Sequence, residues 1–357
     1  MRKSMISIES IIKKDILEQG YITLDHFLSL VIPFYYSNQE SVGEHGDFIT
    51  ASETSQLFGE MVGIYTANYW LKNCTNNITI AELGPGRGYL MSDFLRATKH
   101  IPGFHNSIDK IILYEISPKL RSYQQQNLTA YIDKCVWLDQ PQEFEQHVSN
   151  NHCIFVANEF FDTLPIKQFQ STNGQWYELC LVLDQFQKFK VAPLIKIDST
   201  FIQNNFSNSA AKSEFLEYSP SGKYYLEIIS NSILTNHGLC LLIDYGYTNM
   251  VQSSTLQAIM KHKKVHFLDC IGQADITYLV NFSWLQNYFL NKNLQCALTS
   301  QKDFLESCGI QQRAEQLINK YGADKQKINS QLEILLSTEK MGELFKCLIA
   351  NKYPHKK

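Results

Sequence analysis

Five short runs in this chain combine residue types and spacing that could do chemistry. The run Glu82-Leu83-Gly84-Pro85-Gly86-Arg87-Gly88 directly follows an apolar stretch beginning at Ile78. A glycine turn between a strand and a helix lets backbone N–H groups and the positive end of the helix approach a ligand closely. A dinucleotide fingerprint G-x-G-x-x-G would need glycine at position 89, where this chain has Tyr89, so the spacing is E-x-G-x-G-x-G instead. The second run, Tyr114-Glu115-Ile116-Ser117, ends an apolar stretch in a carboxylate, a group suited to accepting hydroxyl hydrogen bonds. In the third, Asn158-Glu159-Phe160-Phe161-Asp162, an amide and two acids follow the apolar run 153–157. At a strand tip they face the crevice where open α/β sheets bind ligands. The loop Gly43–Thr50, with His45, Asp47, Phe48 and Thr50, and the strand end Asp244-Tyr245-Gly246-Tyr247 complete the set. Each has a structural competitor: a tight connection for the glycines, a helix-start acid for Glu115, a turn cap for Asp162, and exposed loop polarity for His45.

The elements that must position these runs are legible from periodicity. Apolar runs at 78–83, 110–115, 135–138, 153–157 and 239–244 alternate with helical spacing near 88–99 and 117–127. Strands that are apolar throughout and separated by helices form a parallel sheet covered on both faces. The fold class expected is therefore α/β, a Rossmann-like sheet with helices on both faces. Residues 1–75 read as an N-terminal helical extension: helices over 4–18 and 24–31, the latter ended by Pro33, then the glycine loop. The S/T-x-x-E pattern Thr50-Ala51-Ser52-Glu53 opens a helix over 52–72. The core is assigned to 76–162 plus 223–357. Between them, 163–222 exceeds what a crossover needs, and its apolar runs with an Asn173-Gly174 turn read as an inserted β-rich lid or substrate arm. Beyond a helix at 223–236, we expect a strand near 263–268, helices near 276–290, 301–307, 310–321 and 328–336, and a closing strand at 345–350.

Composition narrows the function classes. With 44% hydrophobic and 19% charged residues, the chain can bury a large core and is not disordered. A net charge of −3 supplies no basic field for a phosphate backbone, so nucleic acid is not an expected partner. The 9 cysteines form no C-x-x-C pair and no Cys/His set at zinc spacing, so reduced thiols and no metal are expected. No run approaches the length of apolar sequence a membrane span requires. Acids at Glu9, Asp15 and Glu18 argue against a transit peptide, which points to a bacterial cytoplasm, with the mitochondrial matrix as the alternative. The oligomeric state is open, a homodimer being the form considered.

The spacing Glu82-x-Gly84-x-Gly86-x-Gly88 resembles motif I of class I methyltransferases, in which the turn wraps the methionine part of S-adenosylmethionine and the acid can bond its ammonium group. On that resemblance Glu82, Gly84, Pro85, Gly86, Gly88, Glu115, Ile116 and Asn158 are the candidate cofactor residues, Glu115 toward the ribose. The segments 46–60, 82–97, 114–120, 157–169, 241–246 and 274–285 are together similar to the MidA family, which includes the mitochondrial arginine methyltransferase needed for respiratory complex I assembly. The family pattern often has proline where Ser52 stands, a departure that leaves the cofactor run untouched. The resemblance implies methyl transfer from S-adenosylmethionine to an arginine of a protein substrate. Glu159 and Asp162 are then the candidate catalytic residues, and Asp47, Phe48, Thr50 and Tyr245 the candidate substrate contacts. Two other functions compete. One is a nicotinamide-dependent oxidoreductase, disfavoured by Tyr89. The other is a non-catalytic assembly factor that retains the pocket.

Overall fold

Strands appear where unbroken apolar runs left no polar face for water. In the computed structural model, which describes residues 7–38, 50–74, 76–148, 151–206 and 213–352, the main sheet contains β1 (Ile78–Leu83), β2 (Ile108–Tyr114), β3 (Cys135–Leu138), β4 (His152–Asn158), β5 (Gly238–Tyr247), β6 (Gln295–Ser300) and β7 (Phe345–Asn351). Their order is β6-β7-β5-β4-β1-β2-β3, with the short strand Val280–Asn281 beside the end of β5. From β3 to β5 the pairing is parallel, while β7 is antiparallel to both its neighbours. The chain steps outward from β1 to β3, then returns to lay β4 on the other side of β1. That reversal opens a crevice beyond the carboxyl ends of β1 and β4, the position where open α/β sheets take ligands.

Register fixes what faces the crevice. Leu83 pairs with Tyr114 on one side and Ala157 on the other, and Asn158 pairs with Ile243. Gly84, Glu115, Asn158 and Asp244 therefore leave the sheet at about the same level. Alternate β1 residues enter opposite cores, Ala81 and Leu83 one, Ile78 and Ile80 the other. Each such large aliphatic side chain contributes about 1.5–3 kcal/mol on burial, so a one-residue slip would forfeit both faces at once. The helix Gln56–Asn73 packs on Tyr89–Thr98 so closely that a Cβ on Gly59 or Gly63 would fall within 2.9 Å of that helix's backbone oxygens. Between them buried Glu60 takes Arg96 at 2.6 Å and Arg313 at 2.7 Å, tying three helices together.

The residues between β4 and β5 form a separate antiparallel sheet: Lys167–Thr172, Gln175–Leu183, Phe189–Ile197 and Phe215–Tyr218, turned at Asn173-Gly174, both of which have positive φ. It also recruits Ile22–Thr23, paired with Leu181 and Cys180, so the N-terminal helices Ile8–Gln19 and Leu24–Asn38 are anchored to it. A two-residue strand has no periodicity to read.

Several elements depart from expectation. The helix from Leu24 continues through Pro33 to Asn38. Burial of Phe27, Leu28, Val31 and Tyr35 at helical spacing outweighs the one hydrogen bond that proline removes. The helix expected over 52–72 breaks at Ser55, whose extended backbone separates Ala51–Thr54 from Gln56–Asn73 and whose side chain caps the second piece. Where a helix was expected from 276, the strands Asp275–Thr277 and Val280–Asn281 precede the helix Phe282–Asn291. The first of these pairs with Gln257–Met260, which in turn pairs with Lys263–Val265. Half-buried β6, which completes the edge beside β7, carried no clear period. Among the described residues no helix is long and apolar enough to cross a membrane, and no His/Cys/Asp/Glu group could hold a metal ion.

Candidate functional site

At the tip of β1 the turn is shaped by three glycines with positive φ, Gly84 at 67°, Gly86 at 54° and Gly88 at 82°. Gly84 N donates to Tyr114 O at 3.1 Å and Gly88 N to Pro85 O at 2.7 Å, so the turn is fastened to β2 and closed on itself. A Cβ on Gly84 would lie 2.9 Å from the Phe160 ring, whereas one on Gly86 would meet open space. Glu115 leaves the tip of β2 nearly buried. Its Oε1 accepts from Ser117 N at 2.8 Å, and Oε2 from Gln124 Nε2 at 3.3 Å. Burial pushes its carboxyl up to about 7 even though the Ser117 N–H and Gln124 pull it down. Gln124 is fully buried and also donates to Gly86 O at 2.7 Å while accepting from Trp137 Nε1 at 2.8 Å. It joins the glycine turn to the carboxylate.

Across the crevice, Glu159 follows β4 with φ at 50°, in the left-handed region that costs a non-glycine residue about 1–2 kcal/mol. The conformation is fixed from both ends. Glu159 N donates to Ile243 O at 2.9 Å, and its Oε1 accepts from Ala51 N at 2.9 Å and from Asn158 Nδ2 at 3.2 Å. The capping run Thr50–Glu53 therefore presents a helix start to Glu159. Burial pushes the Glu159 carboxyl up to about 7, against the pull of the Ala51 N–H. Asp162 lies in the turn Phe161–Thr163, buried. Its own N–H and that of Phe161 donate to Asp244 Oδ2 at 3.2 and 3.1 Å. Burial raises both Asp162 and Asp244 well above the carboxylate range, and the negative charge of Asp244, Glu159 and Asp275 raises Asp162 further.

Gly84, Pro85, Gly86, Glu115, Ile116, Asn158, Glu159, Asp162, Thr50 and Tyr245 all line one cavity of about 310 Å³. Glu82 and Gly88 do not line it. Glu82 is buried beneath the turn, its carboxyl pushed up to about 8 by burial and by neighbouring Glu115. Gly88 caps the following helix and gives Gln124 room, a Cβ there meeting Gln124 at 3.2 Å. Asp47 and Phe48, with His45, lie outside the described residues. The cavity also gathers residues that were not among the site candidates, including Tyr36, Glu53, Arg87, Asp275 and Thr277. Arg87 sits 3.7 Å from Glu53, bridging the turn to the capping run. A buried glutamine at position 124 left no signal, since it heads a run of three glutamines on an otherwise polar helix.

Residues 61–299 match the model of a family described as "Putative S-adenosyl-L-methionine-dependent methyltransferase". The chain belongs to this family. It is 29% identical to the mitochondrial protein arginine methyltransferase NDUFAF7 of Xenopus tropicalis over 92% of its own length and 81% of the relative's. The human protein of that name is also 29% identical, over 91% and 79%. In fold it is similar to a Burkholderia thailandensis protein described as "a COG1565 superfamily member and likely methyl transferase", bound to S-adenosyl-homocysteine, with TM-score 0.82, 20% identity and coverage of 97% and 92%. The chain is thus a methyltransferase with S-adenosylmethionine as cofactor, and the residues of the cavity suit that molecule. Gly84 and Gly86 clear a path for a narrow chain, Glu115 offers carboxylate oxygens for hydroxyls, and Ile116 presents a side chain 48% exposed, an apolar surface for a flat ring. Asn158 Oδ1 is buried without a hydrogen-bond partner, an acceptor for an ammonium group.

Proposed function

We propose that this methyltransferase modifies an arginine side chain of a protein, with Glu159 and Asp162 holding the acceptor guanidinium. The observation that carries the reading is that these two acids, both at the tip of β4, converge on the cavity that the glycine turn lines. When bound, the cofactor supplies an electrophilic methyl group on a sulfonium. The protein's part is to position the nucleophile, exclude water and manage charge. A guanidinium stays protonated, with a pKa above about 12, and offers only N–H donors. Glu159 Oε2, which accepts no hydrogen bond from the described residues, and Asp162 Oδ1 are the oxygens placed to accept them. Such charge-assisted bonds are roughly twice as strong as neutral ones. They orient the attacking nitrogen, and a carboxylate there can take the proton that the product releases. Gly84, Pro85, Gly86, Glu115, Ile116 and Asn158 hold the cofactor, Glu82 and Gly88 shape the turn from behind, and Thr50 and Tyr245 stand on the acceptor side.

The mitochondrial arginine methyltransferases among the relatives support a protein acceptor and favour the mitochondrial alternative for the compartment. They lend nothing to the cytoplasmic expectation. A respiratory complex I subunit is the acceptor that the family resemblance puts forward. The test is to incubate the purified enzyme and methyl-labelled S-adenosylmethionine with a lysate from cells lacking the enzyme, then locate the label by mass spectrometry. Label on an arginine of one protein is expected. Label on lysine, on a carboxyl group or on a small molecule would refute the arginine assignment.

A further inference from the structure

Besides Asn158 Oδ1 and the Glu53 carboxylate, three side-chain oxygens on residues lining the cavity are buried without a hydrogen-bond partner among the described residues. They are Asp162 Oδ1, the Tyr245 hydroxyl and Thr277 Oγ1, on residues 3%, 6% and 4% exposed. An unpaired buried polar group costs about 1–3 kcal/mol, so three in one cavity mark a place shaped for something that supplies hydrogen bonds. They come from three separate elements: the turn Phe161–Thr163, β5, and the strand Asp275–Thr277. The Tyr245 hydroxyl faces both Asp162 and Thr277 and favours the charged form of Asp162, at a geometry short of a full hydrogen bond. Asp275 lines the same cavity and accepts from the Tyr36 hydroxyl at 3.1 Å.

The chemistry of this wall is one-sided. Carboxylate and hydroxyl oxygens predominate, and the one cationic side chain among the described lining residues, Arg87, stands next to Glu53 by the glycine turn. Asp244, Glu159 and Asp275 all act electrostatically on Asp162, so four carboxylates share a buried space. A ligand that only donates hydrogen bonds and carries positive charge relieves both strains. A guanidinium has five N–H donors spread in a plane, whereas an ammonium concentrates three at one point. Acceptors distributed over separate elements match the planar fork.

We propose that Asp275, Thr277 and Tyr245 form a specificity wall of the acceptor subsite, selecting an arginine guanidinium over a lysine ammonium by accepting the N–H donors that Glu159 and Asp162 leave over. The proposal rests on the arginine reading above. It is tested by titrating ethylguanidinium and n-butylammonium calorimetrically into enzyme saturated with S-adenosylhomocysteine, using wild type, Thr277→Val and Asp275→Asn. Ethylguanidinium should bind at least about tenfold more tightly than butylammonium, and each variant should lose about three- to tenfold of the guanidinium affinity, the scale of one lost hydrogen bond. S-adenosylhomocysteine affinity should not change. Wild-type guanidinium binding by both variants would overturn the wall, as would equal or tighter binding of butylammonium. Should Asp275→Asn lose S-adenosylhomocysteine binding through misfolding, the near-isosteric Thr277→Val decides alone. The arginine reading fails separately, through the position of the label in the lysate experiment. A methylated arginine combined with unaffected variants would leave that reading standing and remove the wall.

Discussion

At the glycine-turn end of the cavity the polar groups come from two neighbouring strand tips and are tied to one another, Gly84 to Tyr114 and Glu115 to Gln124 and Ser117. At the carboxylate end they come from the helix holding Tyr36, the capping run at Thr50, the tip of β4, β5 and the strand Asp275–Thr277, and several of them have no partner. A site for one invariant cofactor can be largely finished within the fold, with Asn158 Oδ1 as an acceptor left open. On the reading proposed above, a site for an exchangeable acceptor leaves hydrogen bonds to be completed on binding, and it carries that cost in the free enzyme as unpaired atoms.

This contrast is open to direct attack. Glu159→Gln should lower turnover by about 100-fold or more, the usual scale for losing a positioned acid or base, with cofactor affinity unchanged by calorimetry. Near-normal turnover would remove Glu159 from the chemistry. Gly84→Val should act in the opposite sense, abolishing calorimetric cofactor binding, because its Cβ meets Phe160 and the backbone stays at positive φ. Wild-type affinity would move the cofactor elsewhere.

Acidity reaches both ends, Glu115 and Glu159 alike being raised to about 7, so the acceptor end is read with the cofactor bound. The Glu159 carboxyl, raised to about 7, is neutral below that pH and charged above it, and only the charged form attracts a cation. At saturating cofactor, which takes Glu115 out of the titration, kcat/KM for the acceptor should therefore fall about tenfold per unit as pH drops below 7. Glu159→Gln should erase its share of that limb, and a flat profile between pH 5 and 7 would show that Glu159 is already ionised. Gln124→Ala should weaken cofactor binding by about 1–2 kcal/mol, since it frees Gly86 O and Glu115 together. Glu115→Ala should weaken it by more than about 1 kcal/mol, and unaltered affinity would leave Glu115 a purely structural residue.

How much was legible followed the same division. The run at 82–88 could be read because a glycine turn is a local device, its shape contained in consecutive residues. Glu115 and Glu159 could be read because strand tips of a parallel sheet must share one edge. Asp275, Thr277 and Tyr36 could not, because their place in the cavity depends on a strand pairing and on a helix that runs on through Pro33, both decided by packing against distant segments. Gln124 was hidden for the same reason, one glutamine among three distinguished only by what it touches.

The sequence by itself determined the α/β sheet, the turn at Gly84–Gly88 and the presence of acids at the ends of β2 and β4, because apolar runs and glycine spacing act over a few residues. Tertiary structure alone decided that Glu159 is held at positive φ against the start of the capping helix. It also brought Asp162, Tyr245 and Thr277 together with unpaired oxygens, because only folding gathers three separate elements spread over more than a hundred residues of chain.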